Sequence, residues 1–262
     1  MKANKIILSA ALLIFSASLF TSCKKKAEET EIPLATTASA PSYNFTNASA
    51  SGAFVGVKTV TYQTLPVVGL LPIEINTAVG GFFTTAGATS YVNGGAVTCE
   101  SKSLTVQTNG AYLFSPSATE TIDFSGGTDW TIAGNSGNSI PAFNYSTGSS
   151  IPTYSGIVNS SIPTTVTRAS GLTIALGSAN VSGSPDSIFV TVSSGAGSVQ
   201  KLVAGNASNC VFSAAELASL DASSGETGLL QVAPLKYYST TQSGKKYYFI
   251  DEAAYSKFVT VN

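Results

Sequence analysis

The chain has 262 residues, 44% of them hydrophobic and only 10% charged, and it contains no histidine. With 10% aromatic residues it carries enough apolar matter for a core, which excludes wholesale disorder. The missing histidine excludes a Ser-His-Asp or Cys-His catalytic set and the usual zinc ligand, and 13 basic residues against 14 acidic ones leave no basic stripe for nucleic acid.

The chain begins with a short basic stretch carrying Lys2 and Lys5. An uninterrupted apolar and small-residue run follows from Ile6 to Phe20, then Thr21-Ser22-Cys23, and Lys24-Lys25-Lys26 ends it abruptly. This is the n-region, h-region and small-residue cleavage site of a secretory signal peptide. The apolar run is 15 residues long, short of the about 20 that span a bilayer.

Phe20-Thr21-Ser22-Cys23 resembles the lipobox of bacterial lipoproteins, in the looser form found among the Bacteroidota. It departs from the commoner pattern at Phe20, where Leu is more usual, and at Thr21. The resemblance implies cleavage before Cys23 by signal peptidase II. It further implies an S-diacylglycerol on the Cys23 sulfur and a palmitate-type N-acyl chain on the new amine. The expected location is therefore the outer membrane, lipid-anchored, on the periplasmic or the cell-surface face. No cofactor other than this covalent lipid, and no metal, is expected. Losing Lys2 and Lys5 with residues 1–22 leaves 11 basic residues against 14 acidic ones. Attachment would thus rest on the acyl chains, at about 0.8 kcal/mol per buried methylene, and not on attraction to anionic lipid.

Residues 23–42 read as a flexible tether, rich in Ala, Thr, Ser and Pro and without apolar periodicity. Within it, Lys26-Ala27-Glu28-Glu29 is similar to the acidic export tags of some Bacteroidota lipoproteins. From Tyr43 onward the apolar period is two. Phe54 to Tyr62 reads as a β-branched strand. Leu65 to Ile75 contains Pro66 and Pro72, which confine it to an edge or an irregular stretch. Asn93-Gly94-Gly95 is a strong turn signal. Leu104 to Thr108, Asn109-Gly110 and Ala111 to Phe114 form the best hairpin of the first half. Ile122 to Phe124, Gly126-Gly127 and Trp130 to Ile132 complete it. Between Gly134 and Ser161 the composition shifts to Ser, Gly, Asn and Pro, with Ile140-Pro141, Ile151-Pro152 and Ile162-Pro163 recurring every 11 residues.

In the second half Leu172, Ile174 and Leu176, and then Ile188, Val190 and Val192, alternate with other residues, so each row is expected to face inward. Val199 to Val203 and Asn209 to Phe212 are further strands. Ser213 and Glu216 form a capping box on the one helix-like stretch. Leu229 to Leu235 is a strand. Tyr237 to Gln242 and Lys245 to Ile250 flank Ser243-Gly244 as a second hairpin. Asp251 to Phe258 is expected to make a brief helical turn before Val259-Thr260-Val261.

Many short strands with Gly turns imply an all-β fold. The expected organisation is a signal peptide over 1–22, a disordered tether over 23–42, an N-terminal β domain over 43–138, an interdomain segment over 139–161 and a C-terminal β-sandwich over 162–262. Both domains are expected to be immunoglobulin-like or related sandwiches. Cys99 and Cys210 are expected as two buried free thiols, with a disulfide between them, which an oxidising compartment would permit, as the alternative.

No catalytic residues are assigned. Asp123 and Asp129 flank the Gly126-Gly127 turn beside Trp130, the single Trp, which suggests a sugar or calcium site with an aromatic platform; a polar turn beside a core Trp is the plainer alternative. Tyr238 and Tyr248 are expected to share one face of the second hairpin, with Lys245 and Lys246 at its tip, and to stack on a sugar or anchor a protein. A purely stabilising aromatic ladder is the alternative there. Asp186-Ser187-Ile188 is similar to a Bacteroidota O-glycosylation acceptor. The expected function is a membrane-anchored, non-catalytic module that binds a glycan or an envelope protein. A carboxylate-dependent glycan-active enzyme and a structural spacer are the alternatives.

Overall fold

The computed structural model describes residues 50–262 apart from 66, 68, 86–89 and 118. The expected signal peptide, the Cys23 lipobox and the tether lie outside the described residues.

Nearly every described element is a strand. The chain enters on β1 (Ala50–Leu65) and returns on β2 (Gly69–Phe83), then makes β3 (Tyr91–Val92), β4 (Val97–Cys99), β5 (Lys102–Ser103), β6 (Thr105–Val106) and β7 (Tyr112–Phe114). β8 (Asp129–Ile132), β9 (Phe143–Ser146), β10 (Thr153–Tyr154) and β11 (Thr165–Val166) follow. The rest consists of β12 (Leu172–Ala175), β13 (Val181–Ser182), β14 (Ser187–Ser194), β15 (Gly197–Ala204), β16 (Asn209–Phe212), the short helix α1 (Ala214–Leu217), β17 (Gly228–Gln242) and β18 (Lys245–Val261).

A ten-stranded sheet organises the molecule, in the order β15-β14-β17-β18-β1-β2-β7-β6, with β11 beside β18 and β3 beside β2. A four-stranded sheet, β5-β4-β8-β9, packs against one of its faces together with the pairs β10-β13 and β12-β16. The fold is all-β and stacked in the manner of a sandwich. Its central pair, β1 and β18, is parallel, which sets this sheet apart from the antiparallel sheets of an immunoglobulin sandwich.

That parallel pair corrects the two-domain division. β1 from the expected first domain runs alongside β18 from the expected second, from Ala50↔Lys246 to Tyr62↔Lys257. One apolar cluster holds Phe54, Trp130, Ile188 and Val261 together. Nor is 139–161 a linker. Ile140, Ile151 and Ile162, the three members of the 11-residue echo, are all buried in that cluster, so the spacing serves packing.

Local chemistry explains the turns. Ser243 and Gly244 both have positive φ, at 51° and 75°, as a two-residue hairpin between strands of right-handed twist demands. At Asn93-Gly94-Gly95 the Asn93 side chain accepts from the Gly95 N–H at 2.8 Å. A Cβ on Gly94 would come within 2.1 Å of the Phe82 ring, so that position requires glycine. The Ser213/Glu216 capping box is formed in both directions. The inward rows Leu172, Ile174, Leu176 and Ile188, Val190, Val192 are buried as their alternation requires. Pro72 sits in β2 opposite Tyr62, where β7, the strand on the other side, pairs no further than Ala78; a proline without an N–H is tolerated at such an edge.

One element differs outright. Asp251 to Phe258 is not helical but continues β18 without a break. Ala253 and Ala254 suit a helix locally, yet β17 and β1 flank this segment on both sides and take up its backbone hydrogen bonds. Burial on both faces supplies more than helix propensity can.

Candidate functional site

The central strand carries two adjacent buried carboxyls, Asp251 and Glu252. Side chains alternate along a strand, so they point to opposite faces. Asp251 lies beneath the four-stranded sheet. Its Oδ1 accepts from the Thr128 hydroxyl at 2.7 Å, and Thr128 Oγ1 accepts from Trp130 Nε1 at 2.9 Å. Burial pushes the Asp251 carboxyl up to about 6, with the Thr128 and Thr147 hydroxyls offsetting part of the effect. Glu252 is raised to about 7 by burial alone, and its Oε1 finds no hydrogen-bond partner among the described residues.

Trp130 is 1% exposed. Its ring packs 5.3 Å from Phe54 and 6.1 Å from Phe249. The expected sugar platform is therefore corrected: a stacking platform needs an open ring face, and both faces of this one belong to the core.

Asp123 and Asp129 are exposed. The Asp123 carboxylate is turned onto its own loop, accepting from the Ser125 N–H at 2.9 Å and from its hydroxyl at 3.1 Å. Asp129 is held through its backbone, whose N–H donates to Glu100 Oε1 at 2.6 Å. The Glu100 carboxyl is raised, first by burial, then by the charges of Asp129 and Asp123, against the lowering effect of that N–H. Glu100 is thus the third carboxylate of this turn, and its αL-like backbone, with φ at 49°, gave no sequence signal. Among the described residues no group of three His, Cys, Asp or Glu side chains is arranged to hold a metal.

Tyr238 and Tyr248 do not share a face. The hairpin register pairs Tyr238 with Phe249 and Ser239 with Tyr248, so the two tyrosines are one residue out of step. Tyr248 is buried with Ala50 and Phe83 on the sheet face opposite Trp130, and Lys246 Nζ sits 4.9 Å from its ring centroid. Tyr238 lies half-buried on the face that carries Trp130.

There it joins a rim that the sequence did not single out. Tyr145, on the edge strand β9, is also half-buried and stacks on Phe249 at 4.1 Å and 13°. The Tyr238 and Ser149 hydroxyls are 2.6 Å apart, and Lys236 Nζ lies 5.8 Å from the Tyr238 ring centroid. Two partly open aromatic rings, a hydroxyl pair and a cation thus meet where the small sheet ends over β17. Tyr145 was hidden in the low-complexity stretch between Gly134 and Ser161. The signal that reaches it is the alternation of Phe143 and Tyr145 with Asn144 and Ser146.

Ser187, the expected O-glycan acceptor, is buried in β14, and its Oγ is 2.6 Å from the Tyr237 hydroxyl. In the folded chain that oxygen is engaged within the sheet. Cys99 and Cys210 are both free and buried.

No protein-family model matches the chain, and comparison with curated proteins and with solved structures returns no match.

Proposed function

We propose that this protein is a lipid-anchored module of the bacterial cell envelope that binds glycan through the Tyr145/Tyr238 rim. The observation that carries the binding reading is that rim: half-open aromatic rings beside the Ser149 hydroxyl and the Lys236 ammonium. Aromatic faces with polar handles suit the alternating apolar and hydroxyl surfaces of a sugar. The lipobox at Cys23 supports attachment to the outer membrane, facing the periplasm or the cell surface. An envelope protein is the other partner class for the same rim.

The test is a glycan-binding screen on the purified chain. Tyr238→Ala and Tyr145→Ala are expected to weaken binding at least tenfold. Tyr248→Ala, on the opposite face, is the control that retains it. Loss of binding in the control alone would sink the assignment of the rim. Metabolic labelling with palmitate, lost in Cys23→Ala, tests the anchor separately.

A second reading, a carboxylate-dependent glycan-active enzyme, is favoured by Glu100. A raised carboxyl beside Asp129 and Asp123 is the kind of perturbed group that acid chemistry uses. Glycan hydrolysis abolished by Glu100→Gln would establish it.

A further inference from the structure

We propose that the arm at the end of the β1–β2 hairpin, from Thr61 and Ile73 to the turn, is a lipid-contact element that seats Val67, Leu70, Leu71 and Ile73 in the surface of a bilayer. This inference does not depend on the glycan rim or on acylation of Cys23.

The arm leaves the body of the sheet. Pairing of β1 with β18 stops at Tyr62↔Lys257, while β1 and β2 remain paired to Leu65↔Gly69. On the other side β7 pairs with β2 no further than Ala78. Among the described residues four apolar side chains are open on this arm: Val67 is 95% exposed, Leu70 37%, Leu71 39% and Ile73 39%. No charged residue occurs between Lys58 and Glu74. Those two form an ion pair of 2.7 Å across the base, and Tyr62 stands just inside it.

The distribution of the apolar groups selects the occupant. Leu70 and Leu71 are consecutive in a strand, so they face opposite ways. Ile73 shares the face of Leu71, and Val67 caps the turn. An edge docked in a protein groove is apolar on the side that docks. On this arm apolar side chains leave both faces and the end, with Thr61, Gln63 and Thr64 of β1 directly across from Ile73, Leu71 and Leu70, which suits the surface layer of a bilayer, where apolar and polar groups mix. The inner backbone groups pair across the arm, while the outward edges of both strands stay open, so the arm suits the hydrated interfacial layer and not the hydrocarbon core. The charged pair and Tyr62 at the base match the polar and aromatic boundary found at membrane interfaces.

Reach is compatible with the chain's own membrane. Cys23 precedes Ala50 by 27 residues, a contour of roughly 90 Å. The 16 residues of β1 span only about 50 Å, so an anchored molecule has chain enough to lay its arm on the bilayer that holds it.

The experiment is flotation of the unacylated chain from Lys24 to Asn262, which holds every strand and core residue described above, with vesicles of uncharged phosphatidylcholine. The unmodified chain is expected to float with the vesicles at both 0.1 and 1 M salt (about 10 and 3 Å Debye length), because no charge is involved. Val67→Asp and Leu71→Asp together are expected to cut the bound fraction at least tenfold, with an unchanged circular dichroism spectrum and melting temperature. Tyr238→Ala is expected to float as the unmodified chain does. Failure of the unmodified chain to float, or flotation that survives both Asp substitutions, overturns the proposal. So does a Leu71-dependent complex with an envelope protein in the absence of vesicle binding.

Discussion

The Thr128 hydroxyl donates to Asp251 at 2.7 Å and accepts from Trp130 at 2.9 Å, so a single small side chain joins the four-stranded sheet to the central strand of the large one. Thr128→Val keeps the shape and removes both bonds. It leaves a buried indole N–H and a buried carboxyl without this partner. The expected cost is about 2–4 kcal/mol, read as a lower urea midpoint with an unchanged slope. Thr128→Ser, which keeps the hydroxyl, should recover most of it.

Stability should fall as pH rises through the neutral range. Burial pushes Asp251 up to about 6 and Glu252 up to about 7 in the folded chain, against roughly 3.9 and 4.3 when unfolded. Both are raised, so the folded state holds more protons in between. Their contribution is fully present below about pH 4 and is lost as pH passes their folded values. The expected loss is on the order of 3 kcal/mol for each group. Thermal melts from pH 5 to pH 8 should show a declining melting temperature. Asp251→Asn and Glu252→Gln should each flatten the slope; an unchanged slope in both variants would refute the assignment.

The two described thiols should be unreactive in the native state. Burial raises both, Cys210 to about 11 and Cys99 further, and thiolate is the reacting form. A thiol reagent at pH 8 should therefore modify neither Cys99 nor Cys210 until denaturant is added, when both react. Rapid native labelling of either would contradict the burial seen here.

Trp130 offers an optical test of its own correction. As the single Trp of the chain, held at 1% exposure, it should emit at short wavelength and resist quenching by acrylamide. Trp130→Ala should cost about 3–5 kcal/mol and lower stability, with no selective effect on ligand binding.

Trp130 and Tyr238 also show where sequence reasoning stops. The alternation around Trp130 announces a strand, and the structure confirms one, but alternation does not say what covers the ring. For Tyr238 and Tyr248 the turn was legible from Ser243-Gly244. The error was one of parity: pairing Gln242 with Lys245 places Tyr238 opposite Phe249, and a one-residue step reverses the face. Tyr145, Glu100 and Asp251 were missed for a common reason. Each acquires its surroundings from segments distant in the chain, as when Thr128 meets Asp251.

Composition and short-range pattern by themselves determined that the chain is β-rich, where its tight turns fall, which aliphatic rows point inward, and that Ser213 and Glu216 cap a helix. These depend on backbone preferences and side-chain alternation within a few residues. Only the tertiary structure decided that β1 lies parallel to β18, that one sheet and one core unite the two halves, and that Asp251 to Phe258 is strand. Those outcomes come from hydrogen bonds and burial between segments some 200 residues apart, which no local propensity encodes.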